Sequence, residues 1–460
     1  MLAVPTLILP RDDELETLGR TVERTLGRSV ESIDVIGRDP LSRTFAVAMQ
    51  DGHHLIARVA DSHMPTAIME SEIATMQWVR ERTSIPVPKT LAYDLDQSHA
   101  LGPHMLIEKV AGVRLDTIFE DLPAESQDSL VSQLARFMVD LSHVSFPAIG
   151  SIVLPQPHDP SAPSQPPSSP DLPPLGPLTH PCFYIEGRTA LSIDRGPFPT
   201  ARAYFLACAE RERAATRALF TQGAPAGAEY QALLAETQAI VERAVTLLIE
   251  LVRRCDGLDS ADPELARYAL DLHELGPKNV IVAPDDPTRI LALIDWQSAS
   301  VRPRWRCART PYWLLPSLAG DDDACKQRLR SVFREAVAND PVFARAVDAD
   351  DTRHALDEVA EYDAFRDGFL VLPTLQSILA TLPGEEDVDG LRKLLDPQTL
   401  AGRAARMSLL TTGSGVLSLA PSAPESPMND SPVTFGWNRK LYRYSVPATP
   451  RYSVPPTPIA

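Results

Sequence analysis

The stretch DLHELGPKNVIVAPDDPTRILALIDW, residues 271–296, reads as a polar loop followed by two short apolar runs, NVIV and RILALID, around a turn rich in Asp and Pro. Such runs are the signature of a hairpin, because β-branched residues favour strands while Asp and Pro favour the turn between them. Asn279 opens the first run and Asp295 closes the second, so antiparallel pairing brings an amide oxygen and a carboxylate to the same end. Two hard oxygen ligands side by side suit Mg²⁺. Glu274 lies five positions ahead of Asn279, in a segment that also holds Asp271 and His273.

Upstream, residues 29–112 read as strand-rich. VESIDVI, RTFAVAMQDG and HHLIARVA are short alternating or β-branched runs, with Asp51-Gly52 as a hairpin turn, and LAYDL and HMLIEKV follow later. A single helix is predicted among them, from about Ser71 to Arg82, with Ile73, Met76 and Val79 on one face; it stops before Pro86 and Pro88. From Asp116 onward the pattern turns helical, most clearly in SQDSLVSQLARFMVDLSHV, where Leu130, Leu134, Met138 and Leu141 recur at helical spacing. Further helical patterns run at about 200–218, 227–254, 324–337 and in pieces from 352 to 407.

Composition narrows the function classes. The chain has 460 residues and a formal net charge of -17, from 61 acidic against 44 basic side chains, which opposes broad binding to a nucleic-acid backbone. The longest apolar helical pattern, Ala239 to Val252, is interrupted by Glu242, Arg243 and Glu250, so no membrane insertion is predicted. Five widely spaced cysteines form no C-x-x-C pair, which points to thiols in a reducing compartment. The first residues lack both the basic start of a signal peptide and the Arg-rich character of a presequence, so a cytoplasmic location is expected. Residues 155–181 hold eleven prolines and residues 421–460 hold nine, and neither segment can build a packed core. The tail carries a tandem repeat, RYSVPATP and RYSVPPTP, that marks it as the candidate region for protein partners.

The spacing of Glu274 and Asn279 matches the catalytic loop of protein kinases, in which an acid faces a substrate hydroxyl and the Asn holds metal. Arg58 on the strand LIARVA and Glu72 on the following helix match the strand cation and helix Glu that hold α- and β-phosphates. With these pieces in order, the chain resembles the aminoglycoside phosphotransferase and choline kinase-like family from about residue 30 to 320, with 407 as the alternative end, and its pieces from TSIPVP to IDWQ are similar to fungal members in particular. Some of those fungal members belong to a mitochondrial-inheritance group, so the resemblance implies a mitochondrial location as the alternative to the cytoplasm. The resemblance implies an α+β, bilobal protein-kinase-like fold, with a small antiparallel-sheet N-lobe and a larger, mainly helical C-lobe. Its expected parts are an extension over 1–28, the N-lobe over 29–110, the C-lobe over 111–410 with the insertion at 155–181, and a disordered tail over 411–460.

The resemblance further implies an ATP- and Mg²⁺-dependent phosphotransferase acting on a hydroxyl of an unidentified small molecule. Glu274 is the implied catalytic base, with Asp271 and His273 as alternates, and Asn279 and Asp295 are the implied metal ligands. Arg58, Glu72, Ser42, Arg43, and Glu108 with Val110 in the linker HMLIEKVAGVRL are the implied nucleotide contacts. The chain departs from the family pattern H-x-D-x-x-x-x-N, since Leu272 stands for the His and Glu274 for the Asp; a longer acid displaces the carboxylate by an extra methylene. That change motivates an alternative, a pseudokinase that serves as a nucleotide-binding or protein-interaction scaffold. No G-x-G-x-x-G occurs in the first hairpin, and GRDPLSRTF is the candidate nucleotide loop.

Overall fold

The computed structural model describes residues 12–39, 41–62, 64–155, 172–185, 187–221, 262–272, 275–315 and 323–348, with residues 242, 245, 246, 248, 249, 252, 253, 357 and 360. They fall in two compact units: the described residues of the first come from Met1–Thr66 and Thr90–Lys109, those of the second from Ala67–Lys89 and Val110–Phe435. The tail at 411–460 and most of the proline-rich insertion (156–171) lie outside the described residues, as do most of the helical patterns at 227–254 and 352–407.

The first unit is a five-stranded antiparallel sheet in the order β1-β2-β3-β5-β4. Its strands are β1 (Val30–Arg38), β2 (Ser42–Met49), β3 (His54–Ala60), β4 (Thr90–Asp94) and β5 (His104–Glu108). Alternation along β2 sends Phe45, Val47 and Met49 to one buried face, and the Asp51-Gly52 turn that joins β2 to β3 has Gly52 at φ +82°, where a side chain would be strained. Helix α1, Asp12–Leu26, covers that face: Leu18 and Val22 are fully buried in one cluster with Phe45, Val47, Leu55, Ala57 and Leu106. Burying each Leu, Val and Phe side chain of this cluster stabilises the unit by about 1.5–3 kcal/mol. Helix α1 lies in the stretch expected only as an extension over 1–28, although Leu15, Leu18, Val22 and Leu26 carry the helical spacing.

Helix α2, Thr66–Arg82, lies mostly in the second unit and starts earlier than the predicted Ser71, because Ile68 and Met69 extend the buried face of Ile73, Met76 and Val79. The unit continues with β6 (Val113–Arg114), α3 (Ala124–His143), β7 (Ser151–Ile152), β8 (Leu175–Gly176) and α4 (Ala201–Thr221). Strands β9 (Tyr268–Asp271), β10 (Val280–Val282), β11 (Ile290–Leu293) and β12 (Ser300–Pro303) follow, then helices Ala324–Val337 and Pro341–Asp348. Small sheets pair β11-β10-β6, β12-β9 and β7-β8. The core is helix-built: Leu130, Leu134 and Leu141 of α3 are buried, Phe205 of α4 stacks on Trp305 with ring centroids 6.4 Å apart, and Arg302 lies over the Tyr204 ring at 4.6 Å. The fold class is α+β, as the change of period along the sequence implies. Among the described residues no helix is long and apolar enough to cross a membrane.

Candidate active site

Asn279 and Asp295 meet at the end of the β10–β11 hairpin, as the pairing of the two runs requires. Val280 pairs with Leu293, and the Ile294 N–H donates to the Asn279 carbonyl at 2.8 Å. Past β11 the backbone enters the left-handed region at Asp295, φ +65°, a conformation that Asp tolerates better than most residues. Asn279 Nδ2 then lies 3.3 Å from Asp295 Oδ2. Asn279 is buried, with 6% of its surface exposed, and its Oδ1 has no hydrogen-bond partner among the described residues, whereas Asp295 is exposed. A buried carbonyl without a donor costs about 1–3 kcal/mol, and a cation held between Oδ1 and the neighbouring carboxylate would remove that cost. The pair therefore fits Mg²⁺, which takes one or two protein oxygens and completes its shell with phosphate oxygens and water.

The hairpin is clamped from its outer side by β6, where a Cβ on Gly112 would stand 2.5 Å from Ile281 Cγ2 and 2.6 Å from the Val282 carbonyl oxygen. Such an approach admits no side chain. Trp296, next to Asp295, is 3% exposed and donates its Nε1–H to the Leu293 carbonyl at 2.9 Å, so it packs in the core.

The loop entering the hairpin starts from Asp271, whose carboxylate accepts from Nη1 of the fully buried Arg306; Arg306 Nε also donates to Asp357 Oδ2 at 2.6 Å. Glu274 and His273 lie outside the described residues. Leu272, in the position where the family pattern has His, lines a cavity of about 30 Å³ together with Leu141, Asp271, Leu275, Arg309 and Tyr312. That volume suits a water molecule.

In the first unit, Arg58 on β3 is an inward-facing cation with 8% of its surface exposed, opposite Thr44 on β2 and Met105 on β5. Its Nε donates to Ser42 Oγ at 2.8 Å and its Nη2 to Asp39 Oδ2 at 3.1 Å. Arg58 and Ser42, two of the expected nucleotide contacts, are thus brought together. Arg43 is turned to other carboxylates: it pairs with Glu14 of α1, and its Nε lies 3.0 Å from Asp61 Oδ1. Glu72 is buried in α2 with 3% exposed, Glu108 is exposed at the end of β5, and Val110 is half-buried just beyond it. Asp39 was not singled out from the sequence, although an Asp two and three residues ahead of the N–H groups it accepts, followed by Pro, is a turn signal.

Asp323, part of the acidic run before the helix Ala324–Val337, serves as the N-cap of that helix by accepting from the Lys326 N–H at 2.7 Å.

A family model described as a phosphotransferase enzyme family matches residues 33–306. A subtelomeric hrmA-associated cluster protein of Aspergillus fumigatus is 25% identical over an alignment of 348 residues that covers 65% of this chain and 66% of that protein. This chain therefore spans just under two thirds of that relative's length. A protein named for altered inheritance of mitochondria, from Candida dubliniensis, is 27% identical over 148 residues, covering 30% of this chain and 23% of the relative. Among solved structures, a putative aminoglycoside phosphotransferase from Ralstonia eutropha superposes with a TM-score of 0.44 and 13% identity, over 86% of this chain and 97% of that one.

Proposed function

Because this chain belongs to the phosphotransferase enzyme family, we propose that it transfers the terminal phosphoryl group of ATP to a hydroxyl of a small molecule, with Mg²⁺ as the ion. What carries this proposal is the pair at the hairpin end, where the partnerless Asn279 Oδ1 stands beside the exposed Asp295 carboxylate. Asn279 and Asp295 would hold the ion, which when bound neutralises charge on the phosphate oxygens.

Arg58 supplies a planar guanidinium that can grip phosphate oxygens bidentately, with Ser42 beside it. Arg43, Glu72, Glu108 and Val110 keep the nucleotide-binding assignment that their motifs imply. Glu274, by its spacing from Asn279, accepts the proton of the acceptor hydroxyl as that oxygen bonds to the γ-phosphorus. The bond from phosphorus to the bridging oxygen breaks, ADP leaves with that electron pair, and the acceptor becomes a phosphate monoester. His273 is one alternate to Glu274; the other, Asp271, is engaged by Arg306, and protonating it would weaken a buried ion pair. Catalysis of this kind rests on positioning and charge stabilisation.

The test is the unfolding temperature of the full chain with and without ATP and Mg²⁺, in wild type and Asp295→Ala, followed by a transfer assay against hydroxyl-bearing acceptors. A ligand at about 100 times its Kd stabilises the folded protein by roughly 2.7 kcal/mol. A Mg²⁺-dependent rise that Asp295→Ala abolishes is expected. The absence of any rise would sink the enzyme reading and favour the scaffold that Leu272 and Glu274 suggest.

A further inference from the structure

The carboxylate of Asp39 sits in the β1–β2 turn on a set of donors with the composition of a phosphate cradle. Its Oδ1 accepts from the backbone N–H groups of Leu41 and Ser42 at 2.7 and 2.9 Å. Its Oδ2 accepts from the Ser42 hydroxyl at 2.7 Å and from Arg58 Nη2 at 3.1 Å. Successive backbone N–H groups, a hydroxyl and a guanidinium on the adjoining strand are the groups with which a turn holds phosphate oxygens. Here all of them converge on a carboxylate from the chain itself. Ser42 Oγ also accepts from Arg58 Nε at 2.8 Å, so Asp39, Ser42 and Arg58 close a ring. Within that ring the cation is deep and the anion is at the rim, with side-chain exposures of 10% for Arg58 and 35% for Asp39.

We infer that Asp39 is an internal stand-in for phosphate, which keeps the cradle formed while no nucleotide is bound and is displaced when phosphate oxygens arrive. Its role rests on the phosphotransferase reading of this site and adds a determinant of nucleotide affinity within the candidate loop GRDPLSRTF. The displaced carboxylate returns to solvent at the rim, while Arg58, Ser42 and the two N–H groups exchange one anion for another. Asp39 therefore competes with every incoming polyphosphate.

A role confined to shaping the turn predicts a different result on substitution. Asn at this position keeps a side-chain oxygen for the Leu41 and Ser42 N–H groups, but it loses the charge and the acceptor facing Arg58. Binding of Mg²⁺-ATP to the full chain is measured by calorimetric titration for wild type, Asp39→Asn and Asp39→Ser, with the unfolding temperature of each free protein as the check on folding. Removing a like charge from within hydrogen-bonding reach of the phosphate position is expected to lower Kd by about tenfold or more. Tighter binding by the variants, or binding by the variants alone, supports displacement. Equal or weaker binding by variants that fold as wild type does overturns it and leaves the nucleotide reading intact. No binding by any of the three proteins overturns both. Should Asp39→Asn fail to fold, Asp39→Ser, whose hydroxyl still accepts from the turn, decides.

Discussion

Replacing Arg306 by Met would remove a cation that pairs with two acids the chain brings together from far apart. Arg306 is 0% exposed, and the side chains of Asp271 and Asp357 that it joins are 9% and 4% exposed. Met approximates the volume of the aliphatic stem, so the packing loss is small and the electrostatic loss dominates. Breaking a buried ion pair from one side costs about 3–5 kcal/mol. Because Arg306 serves both carboxylates, the upper part of that range is expected, against a total stability of about 5–15 kcal/mol for a typical domain. With an m-value of about 2 kcal/mol/M, the urea midpoint falls by roughly 2 M. Tryptophan fluorescence is the assay, since Trp305 is adjacent in sequence and 1% exposed. Combining Arg306→Met with Asp271→Leu and Asp357→Leu should recover most of the loss, because a buried ion pair exchanged whole for packed apolar groups of similar volume is often close to neutral in stability. A loss below about 1 kcal/mol for Arg306→Met, or a triple variant no more stable than the single one, would refute this account of the cluster.

Two further outcomes follow from burial. Burial holds His104 below its ordinary pKa of 6.5, against the opposing pull of its hydrogen bond to the Gly102 carbonyl. The unfolded chain therefore takes up this proton first as pH falls, so the stability due to neutral His104 is full above 6.5 and is lost below it, down to the folded pKa. Urea unfolding between about pH 7.5 and 5.5 should show this slope, and His104→Gln should reduce it by up to about 1.4 kcal/mol per pH unit; equal slopes would count against it. Burial also pushes the Cys208 and Cys307 thiols up to about 12, whereas Cys325 is exposed. Iodoacetamide at about pH 8 should alkylate Cys325 in the native protein and reach Cys208 and Cys307 only after denaturation, as read by peptide mass spectrometry. Labelling of Cys307 as fast as Cys325 would contradict that burial.

Much of the fold was legible because its signals are local. Strand alternation, the turn residues between NVIV and RILALID, and the helical spacing of Leu130, Leu134 and Leu141 each follow from a backbone period and need no knowledge of distant contacts. The meeting of Asn279 with Asp295 belongs to the same class, since a hairpin joins residues close in sequence. Alternation along β3 puts Arg58 on the face opposite Leu55, Ala57 and Val59, but its burial there is not dictated by that period. Helix α1 was legible too, but its four apolar positions gain meaning only once a sheet face needs covering.

The partners of the buried charges are another matter. Arg306 reaches Asp271 and Asp357 across separations of 35 and 51 residues, and nothing periodic picks those acids from among 61. Asp39 is near Ser42 in sequence, yet its hold on Arg58 depends on the register of β2 against β3 and on the shape of the turn. The sequence by itself determined the strand-rich region with its one helix, the helix around Leu130 to Leu141, the hairpin that joins the amide to the carboxylate, and the family. Tertiary structure alone decided which charges share a dry space, because that choice depends on where long-range packing excludes water, and no local pattern encodes it.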